Sequence, residues 1–180
     1  MNEKADAWQM ELTQITWDID TLLNGYDLTT LNQKPAPEKW SPMQVVQHLV
    51  LVNRSYFPIF DQLIEQRYKA PLLGKIPFYG RKLGELILSA NQKSTPVKTF
   101  SLWEPGNSTL DLDLLQAFVD TQHRLSAYIQ KLEPYFDRGL MIASPANSWL
   151  VYSLDTAIDI IIAHEKRHYK QLKSLLAAEK

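Results

Sequence analysis

The segment His164-Glu165-Lys166-Arg167-His168 sets two imidazoles four residues apart, with a carboxylate beside the first. On a helix, residues i and i+4 share one face, so both rings can reach a single ion. Read literally, H-E-x-x-H is the pattern in which two histidines hold zinc and the glutamate is the general base of a metalloprotease. Another histidine, His48, stands far upstream in Gln47-His48-Leu49. Imidazole ligates zinc, nickel, copper and iron, and three imidazoles leave at least one coordination position open to water or substrate. Each residue alone also has a plainer meaning. A single histidine on an apolar stripe serves as a hydrogen-bonded core residue, and H-x-x-x-H by itself arises in any amphipathic helix. The elements that carry the three rings decide between these readings.

Trp8, Leu12, Ile15, Ile19 and Leu22 recur at helical spacing and predict a first helix over about residues 3 to 24, stopped by Asn24-Gly25. Ser41, Pro42 and Gln44 form a capping box with proline at the first helical position, and Trp40 is placed to staple onto Val45. The second helix that follows carries Val45, His48 or Leu49, Val52, Tyr56, Ile59 or Phe60, and Leu63, with Pro58 expected to kink or break it. Residues 70 to 107, punctuated by Pro71, Pro77, Pro96 and Pro105, read as irregular with one short helical patch around Leu83, Leu86, Ile87 and Ala90. Leu115, Phe118, Gln122, Leu125, Ile129 and Leu132 mark a third helix ended by Pro134. Ser153, Asp155 and Thr156 open a fourth, whose stripe is Leu154, Ile158, Ile161, His164, His168, Leu172 and Leu175.

Four amphipathic helices without a strand-rich pattern predict an all-α, four-helix bundle, a single domain over residues 1–180. Short connections join antiparallel neighbours, whereas the long link between helices two and three can cross back and make those two parallel, giving an up-down-down-up order. At ~1.5 Å per residue His48 lies about 10 Å into helix two and His168 about 15 Å from the end of helix four. Antiparallel packing of those helices puts them at similar depth, so His48, His164 and His168 can converge as metal ligands. Burying three imidazoles on facing stripes otherwise leaves each polar ring in need of a partner. Gln171, one turn beyond His168, can orient a ligand or cofactor, or can be an ordinary amide at the edge of the stripe. His123 falls off its stripe and is assigned to the surface, and Glu165 to the solvated face of its helix.

The peptidase reading fits poorly. The positions that would carry a glycine and a third histidine after the motif hold Gln171 and Ser174, and no strand is expected to hold a peptide substrate. With no cysteine, the chain has no thiolate ligand or cysteine nucleophile of its own, and thiol chemistry requires an incoming thiol. Nineteen Lys+Arg against twenty Asp+Glu, a net charge of -1, lack the basic footprint of a nucleic-acid binder. Met-Asn-Glu-Lys-Ala-Asp is polar with no signal-type apolar core after it, and no apolar run reaches the ~20 residues of a membrane span. A cytoplasmic protein with no membrane partner is expected.

Glu-Lys-Trp-Ser-Pro-Met-Gln-Val-Val-Gln-His-Leu, residues 38 to 49, together with Ala-His-Glu-Lys-Arg-His-Tyr-Lys-Gln, residues 163 to 171, resembles the DinB-like (YfiT-like) superfamily of metal-dependent enzymes. Lys-Thr-Phe-Ser-Leu-Trp-Glu-Pro, residues 98 to 105, is similar to the segment before that family's third helix. The resemblance implies a four-helix bundle holding a divalent metal, zinc or nickel being the expected ion, through one histidine of helix two and two of helix four. These map onto His48, His164 and His168. Relatives that use low-molecular-weight thiols imply a small-thiol-dependent S-transferase acting on small electrophiles, and a homodimer. Two alternatives stand beside it: a metal-dependent hydrolase, and a non-catalytic metal-binding stress-response module. Trp103, Trp149, Phe78 and Tyr79 can line a pocket mouth or simply pack the loops.

Overall fold

In the computed structural model, residues 2–93 and 98–177 are described, and Pro96 lies outside them. Helix α1 spans Glu3–Leu23, capped by the Asn2 side chain, which accepts from the backbone N–H groups of Lys4 and Ala5. Its buried face, Ala5, Trp8, Leu12, Ile15, Ile19 and Leu23, follows the sequence stripe except at its end, where Leu23 is buried and the expected Leu22 is half-buried. A short helix, α2, follows at Leu28–Asn32 under an Asp27 cap. Helix α3 spans Pro42–Ile64 and opens with the expected capping box: Ser41 Oγ accepts from Gln44 N at 3.2 Å, and Gln44 Oε1 accepts from Ser41 N at 3.1 Å. Such a cap contributes about 1 kcal/mol. Pro58 does not break α3, which stays helical to Ile64.

The link after α3 corrects the expectation of irregular chain with one short patch. It contains helix α4, Tyr79–Gln92, fourteen residues long. The residues α4 buries are Gly80 and Gly84, while Leu86 is exposed. A Cβ added at Gly84 would lie 2.8 Å from Thr156 Cγ2 and 3.1 Å from Tyr152 Cβ, so the glycine is what permits this close approach. Helix α5 spans Asp113–Leu132. The all-α expectation is corrected by an antiparallel hairpin, β1 Met141–Ser144 and β2 Asn147–Ser153, pairing Met141 with Ser153, Ile142 with Tyr152 and Ala143 with Val151. Helix α6, Leu154–Ala177, follows directly, and Ser153 Oγ accepts from Thr156 N at 3.1 Å as its cap.

The four long helices, α1, α3, α5 and α6, pack as a bundle around one buried apolar cluster that also takes in Ile142 and Tyr152 of the hairpin. Polar pairs record the register. Arg54 donates to Thr121 at 3.2 Å and Tyr128 to Asp61 at 2.5 Å between α3 and α5. Between α1 and α6, Trp8 Nε1 donates to Asp159 at 2.8 Å and Lys166 pairs with Glu11 at 2.9 Å. Gln9 of α1 meets both Ser126 and Gln130 of α5. Asn53 of α3 donates to Glu165 of α6 at 2.6 Å. Among the described residues no helix is long and apolar enough to cross a membrane.

Candidate metal centre

His48 sits two turns into α3, on the face that α3 turns toward α6, and the i, i+4 pair His164 and His168 meets it from α6. His48 Nε2 lies 3.0 Å from His164 Nε2, and His168 Nε2 lies 3.1 Å from that same atom. The three rings offer one ligand atom each within 4.8 Å of one another. Two nitrogens at ~2.05 Å from a tetrahedral zinc would stand about 3.3 Å apart, close to these separations.

Outer hydrogen bonds fix the protons on two of the rings. His48 Nδ1 lies 2.7 Å from the Trp103 carbonyl and His168 Nδ1 lies 2.7 Å from Gln171 Oε1. Both partners can only accept, so both Nδ1 atoms carry the proton and both Nε2 atoms turn a lone pair inward. His164 Nε2 therefore faces two acceptors, and its buried Nδ1 has no hydrogen-bond partner among the described residues. A proton on His164 Nε2 could serve only one of these acceptors, whereas a cation among the three nitrogens serves all of them, and the donor set thus fits a divalent ion bound by neutral imidazoles. Burial above all pushes the three rings below the ordinary histidine value: His48 down, His164 well down and His168 to about 3. The nearby Arg167 charge acts on each in the same direction. The rings are therefore in their ligating form at neutral pH.

A cavity of about 430 Å³ opens on the triad. Aromatic and aliphatic side chains form most of its wall, among them Trp40, Phe100, Trp103 and Ile161. Trp40 lies with its ring 4.8 Å from that of His48, and Trp103 donates its indole N–H to Ser55 Oγ at 3.0 Å. Of the four loop aromatics singled out in the sequence, Trp103 lines this cavity; Phe78 and Trp149 are exposed, and Tyr79 hydrogen-bonds the Trp149 carbonyl at 3.0 Å. Sequence reasoning missed a second polar point on the wall, the Tyr56 and Tyr152 hydroxyls 2.6 Å apart. Burial raises both tyrosines, so both hydroxyls keep their protons at neutral pH. Tyr56 carries a stripe signal, but Tyr152 comes from the unforeseen hairpin.

Glu165 overturns its surface assignment. It is fully buried, accepting from Asn53 Nδ2 at 2.6 Å and Gln122 Nε2 at 3.0 Å, and so joins α3, α5 and α6. Burial pushes its carboxyl up to about 7 against the opposing pull of those two bonds. It does not line the cavity, so the glutamate of the H-E-x-x-H pattern faces the bundle interior beside the triad. His123 is exposed, as expected. Gln171 lines the cavity, with its carbonyl oxygen occupied by His168.

One known protein is similar to this chain in sequence and another in fold. YuaE of Bacillus subtilis (strain 168), an uncharacterised protein, is 28% identical over 155 residues, which is 85% of this chain and 87% of YuaE. YfiT from Bacillus subtilis, described as a probable metal-dependent hydrolase with an unusual four-helix bundle topology, superposes with a TM-score of 0.68 over 99% of this chain and 89% of its own, at 13% identity. Residues 11–172 match the DinB superfamily, nearly the whole chain. The chain belongs to the DinB superfamily.

Proposed function

We propose that this protein is a divalent-metal-dependent enzyme for small molecules, with His48, His164 and His168 as the metal ligands and zinc or nickel as the ion. The observation that carries the reading is the inward convergence of the three Nε2 atoms at the floor of an apolar cavity. A divalent ion held by three neutral imidazoles supplies Lewis acidity and lowers the pKa of an added ligand. The chain supplies the rest. The Trp103 carbonyl and Gln171 orient two of the rings, the aromatic wall excludes water, and the tyrosine hydroxyls offer a donor to a polar group of the substrate. Gln171 Nε2, which has no partner among the described residues, is proposed to contact the bound cosubstrate.

The finer reading is transfer of a small thiol to a small electrophile, supported by a cysteine-free chain in which the sulfur must arrive with the cosubstrate. Hydrolysis is the alternative, and the description of YfiT favours it. We place the activity in one domain over residues 1–180, in the cytoplasm, in a homodimer, with the long helices ordered up-down-down-up across a long link between α3 and α5. The in-step pairs Arg54–Thr121 and Asp61–Tyr128 support the parallel course of α3 and α5. The test is elemental analysis of purified protein, followed by an electrophile panel offered with bacillithiol, glutathione, coenzyme A, simple thiols or water alone. Turnover with one thiol assigns the transferase, and turnover without any assigns the hydrolase. A chain that takes up no divalent metal refutes the proposal.

A further inference from the structure

Arg167 is the charged side chain of α6 that the metal reading leaves unused. It lies between the two ligands, next to His168 in sequence and three residues after His164, and it lines the cavity above the triad while being half-buried. Its neighbours in α6 have other tasks: Glu165 joins the helices and Lys166 pairs with Glu11. Among the described residues the Arg167 guanidinium has no ion pair and no hydrogen bond, although burial has already stripped part of its hydration and weakens its hold on the proton. Five N–H donors in a fixed fork without an acceptor are costly in an apolar wall and well suited to a planar oxyanion. Arg167 and Asn91 also line a second, adjoining cavity, where Asp159 and Glu11 stand, but neither carboxylate reaches the guanidinium: Asp159 accepts from Trp8 and Glu11 pairs with Lys166. Arg167 shares the wall of the triad's own cavity with His48, His164 and His168.

The rest of the cavity points the same way. Lys39 and Lys98 stand exposed at its edge and Glu38 is the single carboxylate on the wall among the described residues, so the described lining is net positive on a chain of net charge -1. Trp40, Phe100 and Trp103 supply flat apolar surface between that edge and the metal ligands. A bidentate pair with arginine fixes orientation as well as charge, and it strengthens where water is thinned.

We propose that Arg167 is the specificity-determining residue of this site, and that the substrate or cosubstrate it selects is a small molecule with an apolar, preferably aromatic, body and one carboxylate or comparable oxyanion. This rests on the reading of the cavity as the substrate site. It does not rest on the identity of the metal or of the reaction. The anion pairs with the Arg167 fork, the body lies against the tryptophans, and the remaining end is left facing the triad.

The experiment measures binding and needs no turnover. The full chain, zinc-loaded and as purified, is titrated with 3-phenylpropionate and with its neutral isostere 3-phenylpropionamide, following tryptophan fluorescence and calorimetry. The carboxylate should bind about tenfold or more tightly, the scale of one charge-assisted pair, and its advantage should shrink as salt is raised. In Arg167→Gln the two affinities should become equal with the amide unchanged, and Arg167→Lys should restore part of the preference. Equal affinities in the unaltered chain, or no binding of either probe at millimolar concentration, would overturn the proposal without any use of a variant. A preference that survives in Arg167→Gln would also overturn it, by assigning the anion to the metal or to the edge lysines. If the chain proves to hold no metal, the carboxylate preference should persist in the protein as purified, so failure of the metal reading and failure of this one are told apart.

Discussion

Gln171 is the one place where a ligand's outer support can be removed without touching the ligand. His48 leans on a backbone carbonyl, and His164 has no outer partner among the described residues; His168 alone leans on a side chain, through a 2.7 Å bond to Gln171 Oε1. Gln171→Leu keeps the approximate volume and deletes the acceptor, leaving the His168 ring free to turn or to change tautomer. Loss of such a partner costs about 10–100-fold in metal affinity, roughly 1.4–2.8 kcal/mol at ~1.4 kcal/mol per decade. The bond is at the short end of the N–H···O range, which places the expectation toward the upper end of that range. The metal-free chain loses only one ordinary hydrogen bond, about 1 kcal/mol. Competition for zinc against a chromogenic chelator at neutral pH measures the first quantity, and denaturant unfolding with chelator present measures the second. Gln171→Glu retains an acceptor and should hold zinc at least as tightly as the unaltered chain. Equal zinc affinity in Gln171→Leu and the unaltered chain would show that the bond does not orient a ligand, and an equal loss in both variants would show that Gln171 acts by some other route.

Alanine at His48, His164 or His168 should each abolish stoichiometric metal in elemental analysis, while His123→Ala keeps it; retention in any of the first three removes that residue from the ligand set. For the metal-free chain, the folded pKa of His168 near 3, against an ordinary ~6.5, means that the unfolded chain takes the proton more readily. That contribution is complete above about pH 6.5 and is lost as pH falls toward 3, so the thermal midpoint should drop more steeply with acid in the unaltered chain than in His168→Leu; parallel curves would contradict the sign. Glu165→Ala strands the amide donors of Asn53 and Gln122, whose oxygens Oδ1 and Oε1 already lack partners, and should destabilise the fold by about 2–4 kcal/mol in denaturant unfolding. Because Glu165 does not line the cavity, chelator-sensitive cleavage of unstructured peptides should be absent, and its detection together with its loss in Glu165→Gln would restore the protease reading.

The parts of the fold that were legible in sequence are those held by side-chain periodicity. The stripes of α1, α3, α5 and α6 announce the four long helices, and the Ser41–Gln44 box fixes the start of α3 and with it the depth of His48. Helix α4 was not legible as a full helix because its buried face is Gly80 and Gly84, residues that leave no apolar mark and favour turns when read alone. The hairpin was missed because β1 has four residues and its alternation, Met141 to Ser144, is too short to stand out from the loop around it. Glu165 was misplaced because a charged residue one step off a stripe is ordinarily solvated, and its partners Asn53 and Gln122 lie on two other helices that no local pattern connects to it. The triad was legible since each histidine sits on its own helix's apolar stripe. Arg167 was not, because its distinguishing property is the lack of a partner.

The stretch from Trp103 to Gly106 is stitched along α3 by four bonds: the Trp103 carbonyl accepts from His48, the Trp103 indole donates to Ser55, the Gly106 carbonyl accepts from Gln44, and the Gly106 N–H donates to Gln47. Two of the four use the segment's backbone carbonyls, so side-chain replacement along it leaves those two acceptors in place. The orientation of His48 is thereby buffered against substitution and exposed to changes of length: inserting or deleting one residue between Trp103 and Gly106 would slide the carbonyl out of register with the imidazole. Among descendants of this sequence, drift in residue identity at the exposed Glu104 should be tolerated while the spacing from 103 to 106 is held, a form of selection visible in gaps rather than in letters.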